Sequence, residues 1–144
     1  IARAIADGIG GEARHFGDVD KPALAGYDLI VAGSPTQAGR PTTALNNWLY
    51  DLPGGSLKGT EAAAFDTRFD PADRGVGLRL LMRVIGFAAP KVAKALRVKG
   101  AREASPPEGF IVMDTEGPLR EGELERAKAW GEALARSASR APAA

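Results

Sequence analysis

The chain of 144 residues contains no cysteine and a single histidine, His15. The first absence excludes disulfide staples, thiolate zinc sites and cysteine-held iron–sulfur clusters. The second leaves no histidine set for a metal and no imidazole with a visible partner for nucleophilic catalysis. Excess charge is missing too. There are 19 basic and 18 acidic residues, a net charge of +1, which makes no electrostatic case for nucleic acid or an anionic membrane. No apolar run approaches the ~18 residues of a spanning helix, and no signal peptide is visible. The expectation is a cytoplasmic domain with no nucleic-acid, membrane or metal partner. Methionine is absent from position 1. The chain opens on Ile1, already inside a helical pattern, so residues upstream are expected.

With 44 % hydrophobic residues, the chain suits one domain spanning 1–144. Ile1, Ile5 and Ile9 share one face of a first helix that Gly10 and Gly11 end. Glu12 to Phe16 reads as a short extended stretch. Tyr27 to Ala32 is the clearest strand, with Leu29, Ile30 and Val31 unalternated, as in a strand covered on both faces. Pro41 to Leu52 is a helix with Leu45, Trp48, Leu49 and Leu52 as its inner stripe. Glu61 to Phe65 is an alanine-rich strand. Leu78 to Ile85 and Pro90 to Val98 are helical, Ala101 to Ala104 is a short extended piece, and Phe110 to Met113 is the last strand. The final helix runs from Glu123 to Arg136, with Leu124, Ala127, Trp130, Gly131 and Leu134 inward. Its acids stand at the front, where the helix dipole favours them. The tail 137–144 is expected to be frayed. Alternating helices and strands imply a parallel sheet in an α/β sandwich.

Ligands of open α/β sheets sit outside the carboxyl ends of the strands. Three loops fall there: Gly33–Arg40, Asp66–Asp70 and Asp114–Arg120. In the first, Gly33 permits close approach, Ser34 and Thr36 bring hydroxyls, and Pro35 stiffens the turn. Gln37 brings an amide, Ala38 is small, Gly39 permits a left-handed bend, and Arg40 precedes a helix. Such a loop suits a planar polar heterocycle and not acid–base chemistry, so no catalytic side chain is expected. A plain strand-to-helix turn would also use Ser and Thr here. In the second loop, Asp66, Thr67, Arg68 and Phe69 form either a solvated turn or a second wall of the same pocket. The third loop reads as a helix start. His15, Trp48 and Trp130 read as structural, and the basic stretch Lys91 to Lys99 as a solvated helix face.

The segments "YDLIVAGSPTQAGRPTTALNNWL", "LKGTEAAAFDTRF", "GFAAPKVAKALRVKG" and "PPEGFIVMDTEGPLREGELERAKAWGEAL", with the opening "IARAIADGI", resemble the flavodoxin family. The resemblance implies a flavodoxin-like three-layer sandwich with a parallel sheet in order 2-1-3-4-5, strand 1 and its phosphate-binding loop being absent from this chain. It implies FMN as cofactor. Ser34, Pro35, Thr36, Gln37, Ala38, Gly39 and Arg40 would lie along one side of the isoalloxazine ring, and Asp66, Thr67, Arg68 and Phe69 along the other. The implied function is electron transfer between a reduced donor and an acceptor, the latter a redox partner protein or a small molecule, by a monomer or homodimer. Two alternatives remain open: an NAD(P)H-dependent quinone or flavin reductase of the same fold, and a degenerate module that no longer binds FMN. A phospho-receiver domain is disfavoured, because it needs a carboxylate cluster at the strand ends and Asp66 stands alone.

Overall fold

In the computed structural model, residues 1–140 are described. Five helices and four strands follow one another as α1 (Ala2–Ile9), β1 (Leu29–Pro35), α2 (Thr43–Tyr50), β2 (Glu61–Arg68), α3 (Val76–Ile85), α4 (Ala88–Val98), β3 (Arg102–Glu103), β4 (Glu108–Ile111) and α5 (Glu123–Arg140). All strand pairs are parallel. β2 is central. It pairs with β1 along one edge, from Leu29↔Glu61 to Pro35↔Thr67. Its other edge takes β3 near the start and β4 near the end, so one strand position is filled by two short pieces. The segment "SPP" at 105–107 lies between them, and proline cannot donate to a ladder. Among the described residues β1 has β2 as its only partner.

The sheet is covered on both faces, which is why its strands do not alternate. Ile30, Ala32, Ala62 and Ala64 face α2 and α4, where Leu45, Leu49, Val92 and Leu96 complete one core. Val31 and Phe65 face the other way, onto Ile5 of α1 and Ala127 of α5, with Phe110 of β4 beside them. Phe110 meets Phe65 and Trp130 edge to face, at centroid distances of 6.1 and 6.0 Å. α1 and α5 pack backbone to backbone. A Cβ on Gly8 would stand 2.1 Å from the Lys128 carbonyl oxygen, and one on Gly131 would stand 2.3 Å from that of Ile5. Two glycines one on each helix thus set the spacing of this layer.

Several elements differ from the sequence expectation. Glu12 to Phe16 is not a strand but an irregular exposed stretch leading into a 3-10 turn at Phe16–Asp18. Extended backbone becomes a strand only beside a neighbour that takes its amides and carbonyls, and no described strand lies alongside it. β1 runs on through Gly33, Ser34 and Pro35, and β2 through Asp66, Thr67 and Arg68. These residues are strand rather than loop because their register partners continue the ladder. The last strand covers Glu108–Ile111 rather than Phe110 to Met113. In α5, Leu124 is exposed and Glu123 is buried in its place. The same helix continues to Arg140, so residues 137–140 of the expected frayed tail are helical, and 141–144 lie outside the described residues. His15 accepts a hydrogen bond from the Gly17 amide at 3.1 Å and stacks on Phe16, in keeping with a structural role. No helix among the described residues is long and apolar enough to cross a membrane.

Candidate functional site

A groove of about 520 Å³ opens at the carboxyl ends of the strands. Its floor is the end of the sheet: Gly33, Ser34 and Pro35 of β1, with Phe65 and Thr67 of β2. One wall is the first turn of α1, at Ile1 and Ala2. The opposite wall is Val112 and the turn Thr115–Leu119 that follows β4. The floor is flat because Gly33 lies against the Phe65 ring. A Cβ at that position would overlap the ring at 2.2 Å. The wall after β4 holds its shape by hydrogen bonds of its own. The Met113 amide donates to the Pro118 carbonyl at 2.8 Å, and the Gly117 amide donates to that of Asp114 at 3.0 Å.

Many residues expected to face a ligand have their side chains engaged in the scaffold. Ser34 is buried, and its hydroxyl accepts from the Thr42 amide at 2.9 Å, tying the entry of α2 to β1. Thr42 then caps α2 by accepting from the Leu45 amide at 3.3 Å. The Thr36 hydroxyl accepts from the Ala88 amide at 3.0 Å. Asp66 is fully buried and accepts from the Ala89 amide at 2.8 Å. Together Thr36 and Asp66 satisfy the first amides of α4. Asp66 also receives a two-pronged hydrogen bond from Arg68, at 2.6 and 2.7 Å, and the Arg68 guanidinium lies 3.8 Å above the Phe87 ring. The Phe69 ring is covered by Arg74 at 4.3 Å.

Gln37, Ala38, Gly39 and Arg40 form a tight reversal. The Gln37 amide donates to the Arg40 carbonyl at 2.8 Å and the Arg40 amide donates back at 3.0 Å, with φ of 47° at Ala38 and 76° at Gly39. Gly39 is pressed against Ile85 at the end of α3. Lys91 crosses over the junction, donating to the carbonyls of Gly39 and Ile85. This lysine is a strut between turn and helix while still lying, with Lys94 and Arg97, on the exposed face of α4. Of the eleven expected site residues, the groove collects Ser34, Pro35 and Thr67. Thr36, Asp66 and Arg68 brace α4 behind it, Phe69 stacks under Arg74, and Gln37 to Arg40 stand in the reversal beside α3.

Sequence reasoning passed over the third loop, which supplies a whole wall. The signal was present: "DTEGP" offers a hydroxyl, a glycine and a proline directly after a strand, the same ingredients as "GSPT". Charged neighbours made it read as a helix start. The chemistry of the lining is mixed. Pro35, Phe65, Val112, Pro118 and Leu119 are apolar, Thr67 and Thr115 bring hydroxyls, and Glu116 brings the sole side-chain charge. Ile1 stands at the N-cap of α1 and Ala2 opens its first turn, so this helix end borders the groove. Among the described residues no cluster of His, Asp and Glu could hold a metal ion.

No protein-family model matches the sequence, and no curated protein sequence does. Solved structures do resemble the fold. A flavodoxin from the domain Archaea superposes with a TM-score of 0.70 at 20 % identity, over 95 % of this chain and 87 % of that one. Oxidised flavodoxin 1 from Bacillus cereus superposes with a TM-score of 0.67 at 17 % identity, over 94 % and 86 %. The apo form of an NADH:FMN oxidoreductase gives 0.59 at 18 %, over 97 % and 81 %. The architecture, with its parallel sheet between two helical layers, is flavodoxin-like.

Proposed function

We propose that this chain binds FMN in the strand-end groove and carries electrons between a reduced donor and an acceptor. The observation that carries the reading is the groove itself. It lies where open α/β sheets take ligands, and its volume falls within the usual range for a small-molecule site. It is mainly apolar with a few hydroxyls, which suits a flat ring system with polar edges. The flavodoxin-like fold supports the same reading.

FMN, when bound, supplies the redox chemistry, and the protein supplies position and environment. Gly33 and the Phe65 ring keep the floor flat, so the ring can approach the main chain of β1. Pro35, Val112, Pro118 and Leu119 shield the faces from water. Thr67 and Thr115 offer hydroxyl hydrogen bonds to the polar edge. Thr36, Asp66 and Arg68 act behind the site, by fixing α4 and the end of β2. None of these groups is asked to move a proton.

Purified protein titrated with FMN is expected to quench flavin fluorescence and turn yellow. Thr115→Trp, which fills the groove from an exposed position, should weaken binding by at least about tenfold, the equivalent of ~1.4 kcal/mol. Protein that leaves flavin fluorescence unchanged would overturn the reading and favour a module without cofactor. The likeness to an NADH:FMN oxidoreductase favours a second reading, in which the reduced donor is a nicotinamide. Rapid bleaching of bound flavin by NADH or NADPH in stopped flow would select it, and slow bleaching would leave electron transfer from a protein donor.

A further inference from the structure

Among the described residues α3 is the α-helix that leaves the most large apolar side chains in solvent. None of its residues is buried. Val76, Leu80 and Val84 recur every four residues, and are 80 %, 61 % and 79 % exposed. They form one outward stripe about 12 Å long, most of the length of the ten-residue helix. Arg79 and Arg83 run beside this stripe, also four apart. Neither they nor Arg74 pair with a carboxylate among the described residues. The turn Pro71–Asp73 that α3 touches ends on Asp73, but the chain that follows is basic. Between Asp73 and Glu103 the chain has eight basic residues and no acidic one. The whole-chain balance of +1 hides this, because the acids are concentrated elsewhere.

We propose that α3 is a membrane-surface helix: its outward stripe sinks into the headgroup boundary of an anionic bilayer while Arg79 and Arg83 engage the lipid phosphates. An apolar stripe with arginines at its margin is the pattern of helices that lie in an interface without spanning it. The anchoring at the C-terminal end, where Ile85 packs on Gly39 and Lys91 holds both carbonyls, presents the helix as a fixed ridge. A second copy is a poorer occupant. A two-fold contact would set the arginines of one α3 against those of the other, with no acid on either. One short helix face is also small beside the ~1,000 Å² of a specific protein interface. A bilayer needs no shape match and supplies both the apolar phase and the negative charge. The proposal does not rest on flavin binding.

The test is sedimentation of the full chain with large vesicles, either phosphatidylcholine alone or equal parts phosphatidylcholine and phosphatidylglycerol. The chain is expected to co-sediment with the anionic vesicles, weakly or not at all with the neutral ones, and less as salt rises. Arg79→Gln with Arg83→Gln should lower the partition coefficient about thirtyfold. Val76→Gln with Leu80→Gln and Val84→Gln should remove binding while leaving far-UV circular dichroism unchanged and the unfolding midpoint nearly so, since these side chains are mostly in water. No association with anionic vesicles at low salt would overturn the proposal. So would association that survives the triple variant, because another surface would then be responsible. A lipid-free dimer that the triple variant dissolves would assign the face to a second copy and overturn it as well.

Discussion

α3 and α4 follow each other in the chain, are 10 and 11 residues long, and are both amphipathic, yet one buries no residue and the other buries six. Their starts explain the difference. The first amides of α4 are held from below, Ala88 by Thr36 and Ala89 by the buried carboxylate of Asp66. Those acceptors sit on or just past the ends of β1 and β2, so the helix is fixed to the sheet at its first turn and lays Val92 and Leu96 into the core. α3 begins at Gly75, with no side chain capping it, and its neighbour is the 3-10 turn Pro71–Asp73. An apolar stripe states that a helix wants cover. Where that cover comes from is decided by the polar groups that aim the helix.

The comparison breaks most severely if the anchor is removed. Asp66→Ala takes away the acceptor for Ala89 and leaves Arg68 without its partner in a largely dry site. It should destabilise the protein by about 4 kcal/mol, within the range for breaking one side of a buried ion pair. Asp66→Asn, which can still accept from Ala89, should recover part of that loss. Equal stability of wild type and Asp66→Ala in urea unfolding would show that the anchor is not what aims α4. Next in size is the packing itself. Leu96 is 2 % exposed in α4, and Leu96→Ala should lose about 3 kcal/mol.

α5 offers a second anchored helix on the opposite face of the sheet. Its Glu123 is buried at the start of the helix, and accepts from the Ile111 amide of β4 at 2.6 Å and from Arg126 at 2.8 and 2.9 Å. The Arg126 hydrogen bonds, against the opposing effect of burial and with help from the Ile111 amide and Arg120, hold its carboxyl below the ordinary value of 4.5. The carboxylate therefore stabilises the fold fully above pH 4.5, and that stabilisation fades as pH falls through the lowered folded value. Glu123→Gln should cost about 2 kcal/mol at neutral pH, the scale of a charge-assisted hydrogen bond. The gap between the two proteins should narrow below pH 4.5. A gap that stays constant down to the acid limit would mean that the ionised form is not what anchors α5.

These anchors mark the boundary of what the sequence made legible. Helix and strand order and the alanine-rich central strand follow from apolar periodicity and turn residues, and the structure keeps them. Ser34, Thr36 and Asp66 were readable as hydroxyls and a carboxylate at strand ends, but their partners lie 8, 52 and 23 residues away. No local pattern says whether a hydroxyl there meets a ligand or an amide of a helix still to come. The groove wall Thr115–Leu119 was obscured for the converse reason: its charged neighbours are local and visible, whereas its position opposite Gly33 exists only once β4 pairs with β2. Glu123 read as a dipole-favoured surface acid. Only its distance to the Ile111 amide reveals it as buried.

The smallest expected effect completes the comparison. Leu80 occupies the outward stripe of α3 as Leu96 occupies the inward stripe of α4, and the two differ in exposure, 61 % against 2 %. Leu80→Ala removes the same atoms as Leu96→Ala but leaves no enclosed cavity, since the side chain is mostly in water. Alanine is, if anything, the better helix former. In lipid-free buffer the unfolding free energy should therefore change by no more than about 0.5 kcal/mol, as for surface substitutions generally. A loss approaching that of Leu96→Ala would mean that α3 is covered in solution, and its stripe would then be a second piece of core rather than a free surface. A negligible loss marks the outward stripe of Val76, Leu80 and Val84 as residues the isolated fold does not need for its stability. Their place in the sequence then has to be explained by what they meet outside it.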